Sequence, residues 1–360
     1  MHIELAKFAA RLRTAIHAAG EWGNFNQWAL ELFALQFQHN SAYRKICEAQ
    51  GVTTQRIADW TQIPSVPTGA FKELELTSLA PDERTAVFHS SGTTGQNSSR
   101  HFHGRESLAV YEASLWTWFQ ENMGGTGDAV FLTPNTTAAP RSSLVHMFET
   151  VRQKSGLPPA AFTGKIGGDG TWLVDFNSTV EKLITSTEAV EPLTLLGTAF
   201  SFVHLLDHLA EKNLSFELPH GSRVMETGGY KNRSRFLPKD ELHALIGSRL
   251  GVPRAAIICE YGMSELSSQA YDSEIETSGS GALRYVLHFP PWARVRVISP
   301  ETGKDVADGE TGILRIFDLA NVFSVAAIQT EDLGLRHGEG FELIGRAATS
   351  EPRGCSLMTA

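Results

Sequence analysis

Three stretches in the middle of the chain decide the fold: LTLLGTAFSFVHLLDHLAEK (193–212), SRVMETGGYKNRSRFLPKDELHALIGSRL (222–250) and AAIICEYG (255–262). Each begins with a short apolar run, which predicts strands at 193–197, 222–226 and 255–262. The first two continue with apolar residues at helical spacing, which predicts helices at 201–212 and 239–250. Strands that alternate with helices predict βα units around a mostly parallel sheet.

The pattern extends in both directions from this centre. Upstream, we predict helices near the N-terminus, including one from 25 to 46, and a Pro/Gly-containing connector at 63–74. Downstream, three strand-like runs without long helices between them predict a smaller antiparallel region. The further predicted elements are strands at 85–89, 129–133, 284–289, 293–298 and 312–317, and helices at 106–123 and 142–154.

The composition restricts the class of protein. Of 360 residues, 42% are hydrophobic and 20% charged, which excludes a disordered or fibrous chain. A net charge of −9 argues against a broad nucleic-acid surface. There is no run of the ~18 apolar residues that a membrane span needs, and the N-terminus lacks the pattern of a signal peptide. Three scattered cysteines do not form a disulfide framework, so we expect a cytoplasmic protein.

The motif HSSGTTGQNSSR (89–100) offers many unobstructed backbone N–H groups and hydroxyls after a predicted strand and before a predicted helix. Such a loop can wrap an anion, and a helix N-terminus would add a favourable dipole. No lysine follows the second glycine at the spacing of a Walker A loop. A flexible Gly/Ser surface loop is the alternative that composition leaves open. The histidines of RHFHG, His101 and His103, are expected to face solvent.

Three further motifs carry candidate chemistry. In CEYGMSELSSQAYD (259–272), Glu265 follows a strand and is of the type that binds Mg²⁺ on polyphosphate. In METGGYK (225–231), the two glycines allow a flat ring to approach the backbone, and Lys231 can neutralise phosphate. In TEDLG (330–334), Asp332 is an acceptor-only group suited to the two hydroxyls of a ribose. For Glu265 and for METGGYK, taken singly, an ordinary turn is the alternative.

In this order, SSGTTG, YGMSE, TEDLG and ELIGR (342–346) resemble the core motifs of the adenylate-forming enzymes. The resemblance implies that such a chain makes an acyl-adenylate from ATP and a carboxylic acid. It implies that Glu265 ligates Mg²⁺, that Asp332 binds the ribose, and that Arg346 lies at the ribose or hinge. The phosphates would be held by Ser90, Ser91, Gly92, Thr93, Thr94 and Gly95, and the adenine or acyl group would lie by Gly228, Gly229, Tyr261 and Gly262.

One subgroup, the LuxE-type acyl-protein synthetases, is most similar. The chain shares with it the pattern IP-x-x-P-x-x-x-FK at 63–72, ETGGYK, and SE-x-RGCS at 350–356. Only fourteen residues follow Arg346, so we expect no full lid domain and no lid lysine. The resemblance implies that Cys355 takes the acyl group. Cys47 and Cys259 fall in apolar patterns where buried, inert thiols are usual.

The sequence thus predicts an α/β fold like the N-terminal domain of adenylate-forming enzymes. Its regions would be a helical part at 1–80, a core at 81–345 and a C-terminal segment at 346–360. The expected function is activation of a fatty acid with ATP and Mg²⁺, followed by thioester formation on Cys355 for delivery to an acyl-reductase partner. Direct transfer to CoA or to a carrier-protein thiol is the alternative, and a non-catalytic nucleotide-binding subunit is a second.

Overall fold

The computed structural model describes residues 2–18, 22–90, 98–125, 127–228, 237–276 and 283–346. In these ranges, the helices are α1 (Ile3–His17), α2 (Phe25–His39), α3 (Ser41–Ala49), α4 (Ala70–Glu73), α5 (Arg105–Met123), α6 (Ser143–Lys154), α7 (Phe176–Ala189), α8 (Ala199–Glu211) and α9 (Lys239–Leu250).

The strands of the same ranges are β1 (Val66–Pro67), β2 (Ala86–His89), β3 (Arg100–His103), β4 (Asp128–Phe131), β5 (Gly164–Ile166), β6 (Trp172–Val174), β7 (Leu193–Thr198), β8 (Arg223–Thr227), β9 (Ile257–Tyr261), β10 (Ala270–Glu276), β11 (Leu283–His288), β12 (Ala293–Ile298), β13 (Thr311–Asp318), β14 (Ala327–His337) and β15 (Gly340–Arg346). None of the helices in the described ranges is both long and apolar enough to cross a bilayer.

The chain divides into two compact units. The first contains the described residues of Met1–Trp118, Met263–Ala270 and Val286–Glu351, and the second contains those of Phe119–Gly262 and Tyr271–Tyr285. The helical region at 1–80, the core at 81–345 and the C-terminal segment at 346–360 stay predictions.

The second unit contains the predicted βα alternation. Its strands run in the order β4-β7-β8-β9, paired in parallel, with β10 beside β9. Every residue of β7 and β9 is buried, as is usual for parallel strands that are covered on both faces. The helices begin at capping side chains: Thr198 accepts a hydrogen bond from the backbone of Ser201 at the start of α8, and Asp175 caps α7 in the same way.

The first unit is built on antiparallel strands in the order β12-β13-β14-β15-β11, with β1 added in parallel to β14. This region is larger than predicted, because the motifs TEDLG and ELIGR lie in two further strands, β14 and β15. The α/β class is confirmed by this mixed architecture.

The prediction of one continuous helix from 25 to 46 is wrong, because the structure has two helices there, α2 and α3. The two helices are divided at Asn40, whose side-chain oxygen accepts a hydrogen bond from the Tyr43 backbone N–H at 3.1 Å and so begins α3. The Asn40 amide also donates to the Ser324 carbonyl at 3.2 Å. Asparagine is a favoured N-cap residue, and this signal outweighs the continuous apolar spacing.

Candidate active site

The β2–β3 hairpin carries the Gly/Ser-rich motif of the first unit. Ser90 lies at the base of the hairpin loop, where its backbone N–H donates to the Ser99 carbonyl at 3.2 Å and its hydroxyl accepts from the Ser99 N–H at 2.9 Å. The phosphate-loop candidates Ser91, Gly92, Thr93, Thr94 and Gly95 lie outside the described residues.

The helix predicted at 106–123 is found as α5, but a strand that was not predicted lies between it and the loop. The chain first forms β3, which pairs antiparallel with β2 from Ala86↔His103 to His89↔Arg100, and α5 begins only at Arg105. The reason is the period-2 alternation in RHFH, where His101 and His103 are buried on one face. The loop is therefore not followed directly by a helix N-terminus whose dipole could act on an anion bound in the loop.

The Glu265 segment, defined here as Met263–Ala270, follows β9 and belongs to the first unit. Glu265 is 1% exposed, and its carboxylate accepts a hydrogen bond from the Ser264 hydroxyl at 2.9 Å. The described residues contain no cluster of three or more Asp, Glu, His or Cys side chains that would hold a metal by themselves. A single carboxylate fits Mg²⁺ that is otherwise bound by substrate phosphates and water, because Mg²⁺ is usually bound by one or two protein carboxylates.

Two side chains that were not predicted from the sequence hold this segment: one is at the end of β13 and the other lies three residues further on. Asp318 accepts hydrogen bonds from the Ser267 N–H at 2.8 Å and the Ser268 hydroxyl at 2.7 Å. Asn321 donates its amide to the Glu265 carbonyl at 2.9 Å. Burial raises the pKa of Asp318, and the hydrogen bonds it accepts act in the opposite direction. Their sequence signal is an acid and an amide inside the apolar run IFDLANVF (316–323).

The prediction that His101 and His103 face solvent is wrong. Both are buried, and their ring centroids lie 4.1 Å apart. The His101 Nδ1 atom lies 2.9 Å from the Ser264 carbonyl oxygen, next to Glu265. Desolvation lowers the pKa of His101 to about 4, so its ring is neutral near pH 7.

Asp332 and Arg346 lie next to each other in the structure, a pairing that the sequence did not predict. They are register partners on β14 and β15, and Arg346 Nε lies 3.4 Å from Asp332 Oδ1. Their side chains are only 5% and 8% exposed, respectively. An ionised carboxylate only accepts hydrogen bonds, which suits a group that binds hydroxyls.

The remaining described candidates belong to the second unit. Gly228 follows β8 with φ of +70°, a left-handed conformation that favours glycine. Tyr261 ends β9 and is buried, and Gly262 follows it directly. Gly229, Lys231 and Cys355 lie outside the described residues.

Two buried acids at the ends of β8 and β9 were not identified from the sequence. Glu226 lies 3.1 Å from His243 Nε2, and interactions with this histidine keep the pKa of Glu226 below its usual value although burial acts to raise it. Glu260 accepts a hydrogen bond from the Thr227 hydroxyl. Desolvation raises the pKa of Glu260 to about 7, and the charge of Glu226 contributes in the same direction.

The two described cysteines are poor nucleophiles. Cys47 and Cys259 are both free and buried. Burial raises the pKa of Cys47 to about 11 and that of Cys259 well above its usual value. Thiolates are the reactive form of cysteine, so neither thiol is suited to attack an activated acyl group.

Solved structures identify the fold class. The chain superimposes on 2-hydroxyisobutyryl-CoA ligase bound to its acyl-AMP and CoA with a TM-score of 0.61 and 15% identity, covering 88% of this chain and 74% of the ligase. For the same ligase in its postadenylation state, the TM-score is 0.62 at 14% identity, with 94% and 67% covered. The fold is therefore that of the adenylate-forming ligases.

The sequence comparisons identify the family within this fold. A family model described as "Acyl-protein synthetase, LuxE" matches residues 21–360, so the chain belongs to the LuxE family of acyl-protein synthetases. Two curated relatives are named long-chain-fatty-acid–luciferin-component ligases. The one from Aliivibrio fischeri is 27% identical, with 92% of this chain and 86% of the relative covered. The one from Vibrio harveyi is 24% identical, with 93% and 90% covered.

Proposed function

We propose that this acyl-protein synthetase activates a fatty acid with ATP and then carries the acyl group on its own Cys355. In the first step, a carboxylate oxygen of the acid attacks the α-phosphorus of ATP and pyrophosphate leaves. In the second, the Cys355 sulfur attacks the acyl carbon, AMP leaves, and the thiol proton passes to solvent or a nearby base. The observation that carries the proposal is the family match across residues 21–360, which includes both the adenylation motifs and RGCS.

The first unit supplies the groups for ATP in this proposal. The loop that begins at Ser90 binds the phosphates, Asp332 accepts the ribose hydroxyls, and Arg346 orients Asp332. Glu265 would hold Mg²⁺, which when bound neutralises charge on the phosphates. No general base is needed for adenylation, because a fatty-acid carboxyl group is already ionised near neutral pH.

The second unit supplies the surroundings of the adenine and the acyl group. Gly228 and Gly229 present backbone without side chains, so a flat ring can approach. Tyr261 and Gly262 lie at the end of a fully buried strand, which is where ligands bind in parallel α/β sheets. Lys231 is assigned to the phosphates as a point charge.

Cys355 is the proposed acceptor because the two described cysteines are buried with raised pKa values. Arg353 stands two residues before it in the sequence, and positive charges close to a thiol in general favour its thiolate. A covalent thioester divides the transfer into two steps, so the acyl group can leave the ATP site before it meets its acceptor. The long-chain-fatty-acid–luciferin-component ligase names of the curated relatives support a long-chain acid as substrate. An acyl reductase as the final partner is part of this proposal.

The test is intact-mass measurement after incubation with ATP, Mg²⁺ and a panel of fatty acids. The wild-type protein should gain one acyl group that hydroxylamine removes. Cys355→Ser should lose this adduct but retain ATP–pyrophosphate exchange, because a serine hydroxyl without a base is a poor nucleophile. Cys47→Ala and Cys259→Ala are the matched controls, and both should keep the adduct.

The alternative is direct transfer from the acyl-adenylate to CoA or a carrier-protein thiol. It predicts that the wild-type protein catalyses ATP–pyrophosphate exchange but forms no acyl-protein. It also predicts that Cys355→Ser produces acyl-CoA at the wild-type rate. A hydroxylamine-sensitive adduct on Cys355→Ser at wild-type stoichiometry would contradict the assignment of Cys355 itself.

A further inference from the structure

The Glu265 segment is held by two sets of contacts within the first unit. Asp318 and Asn321, from the end of β13 and the residues after it, bind the backbone of Ser267 and the carbonyl of Glu265. His101 of β3 contacts the Ser264 carbonyl, the peptide group that directly precedes Glu265. Because β3 is the second strand of the β2–β3 hairpin, this contact joins Glu265 to the base of the Gly/Ser-rich loop.

We propose that His101 is a positioning residue, whose Nδ1–H holds the Ser264 carbonyl and thereby fixes the Glu265 carboxylate relative to the phosphate-loop hairpin. The inference rests on the proposed function, since it assigns Glu265 to Mg²⁺ and the hairpin loop to the phosphates of ATP. It assigns to His101 no contact with substrate and no proton transfer.

The direction of this hydrogen bond follows from its chemistry. A carbonyl oxygen only accepts, so at 2.9 Å the Nδ1 atom must carry the proton. The ring is buried beside His103, with Phe71 at a centroid distance of 6.4 Å, and water is largely excluded. A donor in such surroundings is worth more than one exposed to water, so the loss of this hydrogen bond weakens the hold on the Ser264 carbonyl.

Two variants separate this donor from simple packing. His101→Phe keeps a ring of similar size but removes the donor. His101→Asn keeps a nitrogen on the γ-carbon, where it can donate to Ser264, but removes most of the ring. Tyr43→Phe is the matched control, because it deletes another buried hydrogen bond to a backbone carbonyl, from the Tyr43 hydroxyl to Pro64 at 2.7 Å, in the same unit.

The first measurement is hydrogen–deuterium exchange of the peptide at 263–270 in the unliganded protein. The second is the Mg²⁺ concentration for half-maximal ATP–pyrophosphate exchange. We expect His101→Phe to accelerate deuterium uptake in this peptide. We also expect it to raise the Mg²⁺ requirement about 10-fold, the scale found for residues that orient metal ligands. His101→Asn should restore both readouts even if its melting temperature falls, and Tyr43→Phe should change neither.

The proposal would be overturned if deuterium uptake and the Mg²⁺ requirement depended on the volume of the ring. In that case His101→Phe would behave like the wild type and His101→Asn would be impaired. Equal changes in His101→Phe and Tyr43→Phe would also overturn it, since they would indicate a general loss of stability. Failure of the proposed function is distinguishable, because the wild-type protein would then show no ATP–pyrophosphate exchange. Deuterium uptake in the unliganded protein would still decide whether His101 holds the Glu265 segment.

Discussion

Replacing Glu260 by Gln should make the stability of the protein less dependent on pH. Burial raises the pKa of Glu260 in the folded protein to about 7, whereas its unperturbed value is 4.5. Below pH 4.5 both states of the protein carry the proton. As the pH rises from 4.5 to about 7, the unfolded chain loses the proton and the folded chain retains it, so the stability of the folded state decreases over this range. Glutamine does not ionise and avoids this loss.

The size of the effect follows from the two pKa values. They differ by about 2.5 pH units, which corresponds to about 3 kcal/mol at about 1.36 kcal/mol per unit. Part of this penalty is already present at pH 5. The gap in unfolding free energy between Glu260→Gln and the wild type should therefore widen, in favour of the variant, by about 2 kcal/mol between pH 5 and pH 8.

Urea denaturation at several pH values measures this gap directly. A gap that stays constant within about 0.5 kcal/mol from pH 5 to pH 8 would refute the reasoning, because it would mean that Glu260 titrates alike in both states. Thr227→Val is the companion variant. It removes the hydroxyl whose hydrogen bond lowers the pKa of Glu260, so the pH-dependent loss should extend to higher pH.

Three further predictions concern the candidate site. Glu265→Gln should lower the ATP–pyrophosphate exchange rate by about 100-fold with an unchanged melting temperature, and exchange with normal Mg²⁺ dependence would contradict the metal assignment. Asp332→Ala should weaken ATP binding about 10-fold by calorimetry, because the ribose loses its acceptor at about 1.4 kcal/mol per tenfold change, and an unchanged Kd would exclude that role. Gly228→Ala should lower the free energy of unfolding by about 1 kcal/mol in urea denaturation, because φ of +70° is unfavourable for a residue with a Cβ atom.

The fold was largely predictable because its strands and helices are short and strongly patterned. The buried run LTLLG at 193–197 and the helix that follows it were found at β7 and α8 with small shifts at their ends. The hairpin strand β3 was missed because its buried residues are histidines, which hydrophobic periodicity does not count. The long strand β14 was missed because TEDLG places acids in the middle of it.

The candidate site was predictable only where residue type alone indicates chemistry. Asp332 and Arg346 stand out as an acid and a base in two motifs, and the structure pairs them across β14 and β15. Asp318 and His101 act through backbone groups of a segment far away in the sequence, at separations of 51 and 163 residues. No local pattern records such a contact, because it depends on how the strands pair.

The buried carboxyl groups differ in what their surroundings allow them to do. Asp318 accepts hydrogen bonds from two serines and from the backbone of Ala320, so its oxygens serve to shape a turn. Glu260 is surrounded so that it retains a proton close to neutral pH, which makes it a poor ligand for a cation. Asp332 is oriented by a guanidinium, which suits the recognition of neutral hydroxyl groups.

Glu265 differs from these three in the way its position is determined. Its backbone carbonyl is bound by Asn321, and the preceding carbonyl lies against His101. Its carboxylate accepts a hydrogen bond from the hydroxyl of the neighbouring Ser264. A hydroxyl can rotate to donate or to accept, so it can adjust when a cation arrives, whereas the hydrogen bonds to the backbone keep the carboxylate in place. In the proposed function, a fixed main chain with an adaptable neighbouring hydroxyl suits a carboxylate that binds Mg²⁺ together with ATP.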